Sequence, residues 1–209
     1  TPIPPFAFVL TACIGVIGSN SLALGPIAPE VGGSLGADVP AVMTASAAFG
    51  LGTAASAIFL GRLIDRYGAR FVLAVALLIF SAGIGASAFA PALLVLVAAQ
   101  LFVGIAAGIA LPAIYTLAAV VAPAGRESET VGVVLTGWTL SMVAGVPLSA
   151  AIADVAGWRT VYIVVAIAAL VAFAAVKFTA VPEGDAGEPT SPLGAIAVRG
   201  VPPLLAACA

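Results

Sequence analysis

The sequence predicts an all-α membrane protein, a bundle of six transmembrane helices. Hydrophobic residues make up 63% of the chain and charged residues only 8%, whereas a soluble domain is about 45–50% apolar. The apolar residues fall into six runs, each near the roughly 20 residues that cross a bilayer as a helix. These runs are apolar or small on all sides, while helices of a soluble bundle carry a polar face. We therefore expect lipid to cover most of the surface.

The composition also argues against several function classes. The net charge of −2 offers no basic surface for nucleic acid. The chain has no histidine and no cluster with metal-ligand spacing, so we expect no metal site and no cofactor. No nucleophile–base pair appears in the spans, so we do not expect an enzyme. Cys13 and Cys208 are expected to be free, buried thiols rather than a disulfide.

Charges, glycines and prolines place the spans and the connections between them. The spans are predicted at residues 6–28, 40–61, 71–89, 92–119, 130–153 and 160–180, which makes residues 1–181 a six-helix domain. Connections are predicted at 30–38, 61–70, 90–91, 123–129 and 154–159. Residues 182–199 are predicted as a flexible linker and 200–209 as the start of a truncated seventh helix. Because the chain begins at Thr1 and ends in an apolar run, we expect it to be truncated at both ends.

The Lys and Arg residues of the short loops predict the orientation, because cytoplasmic loops carry more of them. Arg159 alone lies on one face, and all other basic residues fall on the opposite face: Arg62, Arg66, Arg70, Arg126, Lys177 and Arg199. The charged loop, the linker and both termini are therefore predicted to be cytoplasmic in a bacterial inner membrane.

The charged loop at 61–70 has a second copy later in the chain. The pattern Asp65-x-x-Gly68-x-Arg70-x-Val72 recurs as Asp154-x-x-Gly157-x-Arg159-x-Val161. The first copy follows span two and the second follows span five, on opposite faces. A chance match is the alternative, but the equivalent locations favour two inverted three-helix repeats, as found within each half of many secondary transporters.

Several polar and aromatic side chains within the spans are candidates to line a cavity. Asn20 and Gln100 lie at similar depth in spans one and four, and each amide needs a hydrogen-bond partner away from lipid. They fit either hydrogen bonding between helices or a polar patch on a central cavity. Four further candidates, for which ordinary packing is the alternative, are Tyr115, Trp138, Ser141 and Met142.

Two motifs resemble those of one transporter family. Gly61-x-Leu63-x-Asp65-Arg66-x-Gly68-x-Arg70 resembles the loop between helices two and three of the major facilitator superfamily. The segment from Gly137 through Gly145-Val146-Pro147-Leu148, followed by Gly157-Trp158-Arg159, resembles helix five of its drug:proton antiporter group, especially sugar- and arabinose-efflux permeases. The run Gly25-Pro26-Ile27-Ala28-Pro29-Glu30 fits the same group. The resemblance covers essentially the whole chain but only half of a twelve-helix fold, so a missing C-terminal six-helix half is an expected partner.

The resemblance implies a gate at the charged loop. Gly61 would let helix two approach a neighbour closely, and Asp65 would meet the N-terminus of a helix from the other half. Arg66 and Arg70 would pair with carboxylates or lipid phosphates. The alternative is a tight turn with basic anchors.

The sequence departs from the family pattern at three positions. Ala69 stands where a basic residue is frequent, Gln100 where helix four usually carries arginine, and Ser21 near a frequent acid. No carboxylate falls deep within a span, although proton-coupled carriers commonly use one. The missing half would supply it, or coupling runs differently, or the carrier is a uniporter.

The function expected from these features is secondary active transport. The predicted protein is an efflux antiporter for a small organic solute, sugar or drug-like, working by alternating access with proton coupling. The alternative is a non-transporting half-transporter fragment or a membrane sensor. Gly145 and Pro147 are expected to loosen or kink helix five. We expect this chain not to transport alone, since it lacks half of the cavity wall.

Overall fold

The computed structural model describes residues 3–60 and 62–179, and these residues form helices without any strand. The helices are α1 (Pro5–Leu35), α2 (Val39–Phe59), α3 (Arg62–Tyr67), α4 (Ala69–Ala88), α5 (Leu93–Val121), α6 (Glu127–Leu140), α7 (Val146–Ala156) and α8 (Trp158–Phe178). A π-helical turn, Ser141–Gly145, joins α6 to α7, so that Glu127–Ala156 is one continuous span. Six helices are long and apolar enough to cross a membrane, which confirms the predicted number of spans.

The first predicted connection, at 30–38, is mostly helical, and that prediction was wrong. Helix α1 continues through Pro26 and Pro29 to Leu35. Each proline removes one helical hydrogen bond, but Val31 and Gly32 beyond them are buried, so packing holds the final turns in place. The helix ends where Gly36 adopts a φ of 65° and donates its N–H to the Gly32 carbonyl.

Three of the other predicted connections also contain helical residues, whereas the turn predicted at 90–91 is longer and covers residues 89–92. Helix α6 begins at Glu127 within the predicted loop 123–129. In the predicted turn 154–159, α7 runs through Ala156 and α8 starts at Trp158, which leaves Gly157 as the connection. The charged loop contains the six-residue helix α3. Gly61, the predicted linker 182–199 and the predicted seventh helix at 200–209 lie outside the described residues.

The two turns of the sequence repeat have the same backbone conformation. Gly68 precedes α4 with φ 82° and ψ 142°, and Gly157 precedes α8 with φ 84° and ψ 155°. Only glycine adopts these positive φ angles without strain. The first turn lies at one end of the bundle and the second at the other. The chain is thus built from two inverted units of three membrane spans each, as predicted. The first unit is α1–α4, in which α3 is too short to span, and the second is α5–α8, in which α6 and α7 form one span.

Helices α1 and α5 form the centre of the bundle. Helix α5 packs against α2 and α4, helix α1 packs against α6 to α8, and α4 packs along α8. The core is filled by side chains such as Leu10, Phe80, Ile114 and Tyr162. A Cβ added to Gly104 would overlap the Phe49 carbonyl of α2, so the glycine at this position allows close helix packing. Cys13 is buried and free as predicted, while Cys208 lies outside the described residues.

One face of the bundle is much less covered than the rest. Half of the most apolar stretch of α1 is buried, against 28% in α2 and 17% in the fifth span. Large apolar side chains project from these two elements, among them Leu51, Ile58, Leu140, Met142, Val143 and Leu148. We refer to the exposed side of α2 and α6–α7 as the open face.

Candidate functional site

A cavity of about 430 Å³ lies between α1, α2, α5 and α6. Its lining residues are Ile17, Ser21, Ser46, Phe49, Gly50, Thr53, Ala54, Ala57, Leu111 and Trp138. Gly50, Ala54 and Ala57 are exposed, so the cavity opens on the open face. Its walls are apolar and aromatic, with three hydroxyl groups and no charged side chain among the described residues. Such a cavity suits an uncharged or weakly polar organic molecule.

Of the six side chains proposed to line a cavity, Trp138 lies in its wall. Asn20 and Gln100 are buried, with 4% and 3% of their surface exposed, and are not part of this wall. Ser141 is also buried, and its hydroxyl donates to the Trp138 carbonyl at 2.7 Å. The remaining two, Tyr115 and Met142, are exposed on α5 and the π-helical turn. For the residues outside the wall, a role in the cavity stays a prediction.

The two amides instead link three helices. Asn20 of α1 donates from Nδ2 to Oε1 of Gln100 on α5 at 3.1 Å. Gln100 donates from Nε2 to the hydroxyl of Ser87 on α4, also at 3.1 Å. Of the two interpretations of these amides, this arrangement supports hydrogen bonding between helices. The Oδ1 atom of Asn20 is buried and accepts no hydrogen bond from the described residues.

The sequence interpretation missed the hydroxyl-bearing residues of α2. Ser46 and Thr53 line the cavity, and the Thr53 hydroxyl contacts the carbonyls of Phe49 and Gly104 at 2.8 and 3.1 Å. Because these two residues are two helical turns apart, they fall on the same helix face. That spacing within an apolar span was the signal that could have identified them.

The charged residues of the loop at 61–70 differ in the contacts that they make. Asp65 is exposed and has no hydrogen bond or ion pair with any described residue. The guanidinium of Arg66 lies 5.3 Å from the ring centre of Tyr67. Arg70 binds no carboxylate of the described chain. Its Nε and Nη2 atoms instead donate to the carbonyls of Val176, Lys177 and Thr179 at 2.7–3.1 Å. Arg70 therefore caps the C-terminal end of α8.

The second copy of this pattern, Asp154 to Arg159, is called the mirror turn, and it makes the reciprocal contact. Arg159, at the start of α8, donates from Nη2 to the carbonyl of Ala90 at 3.3 Å, just beyond the end of α4. Its guanidinium lies 4.3 Å from the ring centre of Trp158. Asp154, in the same turn, is exposed. A cation at a helix C-terminus interacts favourably with the exposed carbonyls and the helix dipole. Each long helix of the α4–α8 pair thus carries an arginine that binds the end of the other.

Glu30 completes the mirror turn, and the sequence interpretation did not identify this role. Its Oε1 atom accepts the backbone N–H of Trp158 at 3.2 Å, at the first residue of α8. Ser34, one turn further along α1, accepts the indole N–H of Trp158 at 2.8 Å. Gly157 has no side chain to cap α8, so an acceptor from another helix takes that place.

The glycines of the motif in the fifth span, Glu127–Ala156, lie against α1. A Cβ added to Gly137 would overlap the carbonyl of Thr11, and one added to Gly145 would lie 2.7 Å from the Ser19 hydroxyl. Pro147 follows the π-helical turn at the start of α7. π-Turns within helices are uncommon and often mark functional positions. This turn includes Gly145, whereas Pro147 lies within α7, and a kink of the helix at these residues stays a prediction.

Taken together, the fold is a six-helix membrane bundle with a cavity on one open face, the architecture of a membrane transporter domain. The family model of the Major Facilitator Superfamily matches residues 8–208. The chain belongs to the major facilitator superfamily. Its family and structural neighbours are transporters rather than enzymes, and the chain is a multi-pass membrane protein.

Named relatives and solved structures agree with this assignment. A chloramphenicol resistance protein of Streptomyces lividans is 29% identical over 186 residues, which cover 88% of this chain and 46% of the relative. The niacin transporter NiaP of Acinetobacter baylyi is 32% identical over 127 residues, 61% of this chain and 29% of the relative. The inward-open xylose transporter XylE of E. coli superposes with a TM-score of 0.72 at 17% identity, covering 86% of this chain and 48% of XylE. The chain spans less than half the length of the curated relatives it matches.

Proposed function

We propose that the chain forms the amino-terminal bundle of a secondary transporter that exports a small organic solute by alternating access. The open face with its cavity is the observation that carries this proposal. Apolar side chains cover α2 and the fifth span there, and the cavity of about 430 Å³ opens on this face. A second six-helix bundle packed on this face would complete the cavity near the centre of the membrane, where transporters of this kind bind substrate.

The substrate is proposed to be an uncharged or weakly polar, drug-like compound. Trp138 and Phe49 supply aromatic surface, and the hydroxyl-bearing residues of α1 and α2 supply a few polar contacts. No charged group of the described chain lines the wall to balance an ionised substrate. The similarity to a chloramphenicol resistance protein supports export rather than uptake.

Asp65 is proposed to act as one part of a gate. It is exposed and unpaired among the described residues, within the short helix α3. A carboxylate there is suited to the N-terminus of a helix from the second bundle. The contact would form when the transporter closes at this end and break when it opens. We further propose that this end faces the cytoplasm of a bacterial inner membrane, with protons as the coupling ion.

To test this proposal, the full reading frame that contains this chain is expressed in bacteria that lack their own drug exporters. Accumulation of radiolabelled chloramphenicol, niacin, 4-hydroxybenzoate and xylose is measured with and without a proton-gradient uncoupler. We expect lower accumulation of chloramphenicol and a return to the control level with uncoupler. Trp138→Ala should weaken export, whereas Phe102→Ala, on an exposed side of α5, should not.

Four outcomes would contradict parts of the proposal. Export that persists with uncoupler would contradict proton coupling. Unchanged accumulation of chloramphenicol, or lower accumulation of the two carboxylates alone, would contradict the proposed substrate class. Binding without transport would favour the alternative, a membrane sensor. Liposomes that contain only this chain are expected to show no transport, and transport by them would overturn the need for a second bundle.

A further inference from the structure

A second and larger cavity, of about 780 Å³, lies on a different side of the bundle. It is a groove between the first turns of α4 and the last turns of α5 and α8, and it shares no lining residue with the first cavity. Its apolar walls include Phe71, Val75, Leu78, Leu117, Val120 and Phe173. Several of these side chains are exposed, Phe71 by 60%, so the groove is open to the surrounding lipid.

Cationic side chains lie at one end of this groove. Arg70 and Lys177 are both lining residues, and Arg66 lies against the ring of Tyr67, which also lines it. The four hydrogen bonds of Arg70 to carbonyls use Nε and Nη2, and no described group accepts from Nη1. Lys177 is exposed and has no partner among the described residues. No acidic side chain of the described chain lines the groove.

The positions of these cations match the layers of a membrane. Arg70 is the second residue of α4 and Lys177 is the next-to-last residue of α8, so both lie at the ends of spans. Leu78 lies two turns further along α4, about 12 Å deeper at the rise of an α-helix. The groove therefore leads from a basic entrance at headgroup level into an apolar channel at the level of the acyl chains.

We propose that this groove is a binding site for one anionic phospholipid of the adjacent leaflet. Lys177 and Nη1 of Arg70 would contact the phosphate, since charge-assisted hydrogen bonds to phosphate are strong. One acyl chain would lie against Phe71, Val75 and Leu78. The charge of the entrance selects the occupant: basic pockets between helices favour anionic headgroups, and a zwitterionic lipid brings no net charge to neutralise two cations. A bound lipid would hold α4, α5 and α8 together at this end.

Native mass spectrometry of the purified full chain tests this site. The protein is incubated with equimolar phosphatidylglycerol and phosphatidylcholine, and the retained lipids are counted per protein molecule. We expect one retained phosphatidylglycerol, in about fivefold preference to phosphatidylcholine. Lys177→Gln should lower that preference to near one. Arg62→Gln removes an exposed cation at the same end that does not line the groove, and should leave the preference unchanged.

A second pair of variants tests the groove itself. Ala74 lines the groove, so Ala74→Trp should displace both lipids, and the smaller Ala74→Leu should do so in part. Ala82→Trp places the same bulk on an exposed position of α4 outside the groove and should retain the lipid. Equal retention of the two lipids by the unaltered chain would overturn the proposal. An equal loss of lipid preference in Arg62→Gln and Lys177→Gln would also overturn it. So would an equal loss of bound lipid in Ala74→Trp and Ala82→Trp.

Discussion

The carboxylate of Glu30 illustrates how single residues fix the ends of helices in this bundle. It accepts the N–H of Trp158 from a position 128 residues earlier in the chain. A helix start that has a glycine in place of a capping side chain leaves its first N–H groups without an acceptor. The extension of α1 beyond its two prolines is what brings Glu30 and Ser34 to this point.

Replacing Glu30 should therefore weaken the fold. We expect Glu30→Ala to lower the free energy of unfolding by about 1 kcal/mol, the usual effect of losing a helix cap. Glu30→Gln retains an oxygen acceptor and should lose less. Thermal unfolding in detergent, followed by tryptophan fluorescence, measures both. Asp154→Ala, an exposed carboxylate at the same end, is the control, and an equal effect there would contradict the capping role.

Residue-scale prediction succeeded where the pattern was local and failed where partners were distant. The repeated Asp-x-x-Gly-x-Arg pattern located both glycine turns, because a positive φ is a local requirement. The partners of Arg70 and Glu30 depend on the packing of α8 against α4 and α1. No local pattern encodes those contacts, so carbonyl groups were not foreseen as the ligands of Arg70.

At the scale of elements, the contact between α5 and α2 depends on glycine. The Cα atom of Gly104 faces the Phe49 carbonyl so closely that no Cβ fits between them. Gly104→Ala should push the two helices apart and lower the free energy of unfolding by about 1–3 kcal/mol. Chemical denaturation in detergent measures this change. Gly85→Ala, in α4 with open space around it, should be neutral or slightly stabilising. Equal destabilisation by both variants would contradict a packing role for Gly104.

The π-helical turn of the fifth span is the second element with a testable role. Pro147 cannot donate a backbone hydrogen bond, and the turn before it leaves this helix less regular than its neighbours. We expect Pro147→Ala to change the transport rate of the whole transporter more than its folding yield. Initial rates of export and the amount of purified monomer are compared. Pro112→Ala, within α5 and away from the π turn, is the control. A larger change in yield than in rate would contradict the role of this turn in movement.

At the scale of the whole molecule, the charges of the loops predict the orientation. Among the described residues, Arg62, Arg66, Arg70, Arg126 and Lys177 lie at one end, with Arg159 at the other. Single cysteines at Ser128 and Val155, in a chain with Cys13→Ala and Cys208→Ala, report which end is outside. A membrane-impermeant maleimide should label Val155→Cys in intact spheroplasts, and Ser128→Cys only after lysis. The reverse labelling would invert the proposed topology.

The number of spans and their inverted repeat were predictable, but their full lengths were not. Hydropathy identifies the part of a helix that lies in lipid, because that part must be apolar. It does not detect the polar turns beyond the hydrocarbon, which explains the missed extension of α1 to Leu35 and of α7 to Ala156. The cavity wall was predicted only at Trp138. The spacing of Ser46 and Thr53 marks one face of α2, but which helices this face meets follows from packing.

The reciprocal arginines also constrain how the bundle can move. Two antiparallel rods that are tied at both ends cannot slide along each other, because a shift in either direction lengthens one of the ties. A slip of α4 against α8 by one helical turn, about 5.4 Å, would break the contacts of Arg70 and of Arg159 together. The α4–α8 pair therefore moves as one rigid body. Any bending during a transport cycle falls to the elements outside it, of which the π-helical turn is the most irregular.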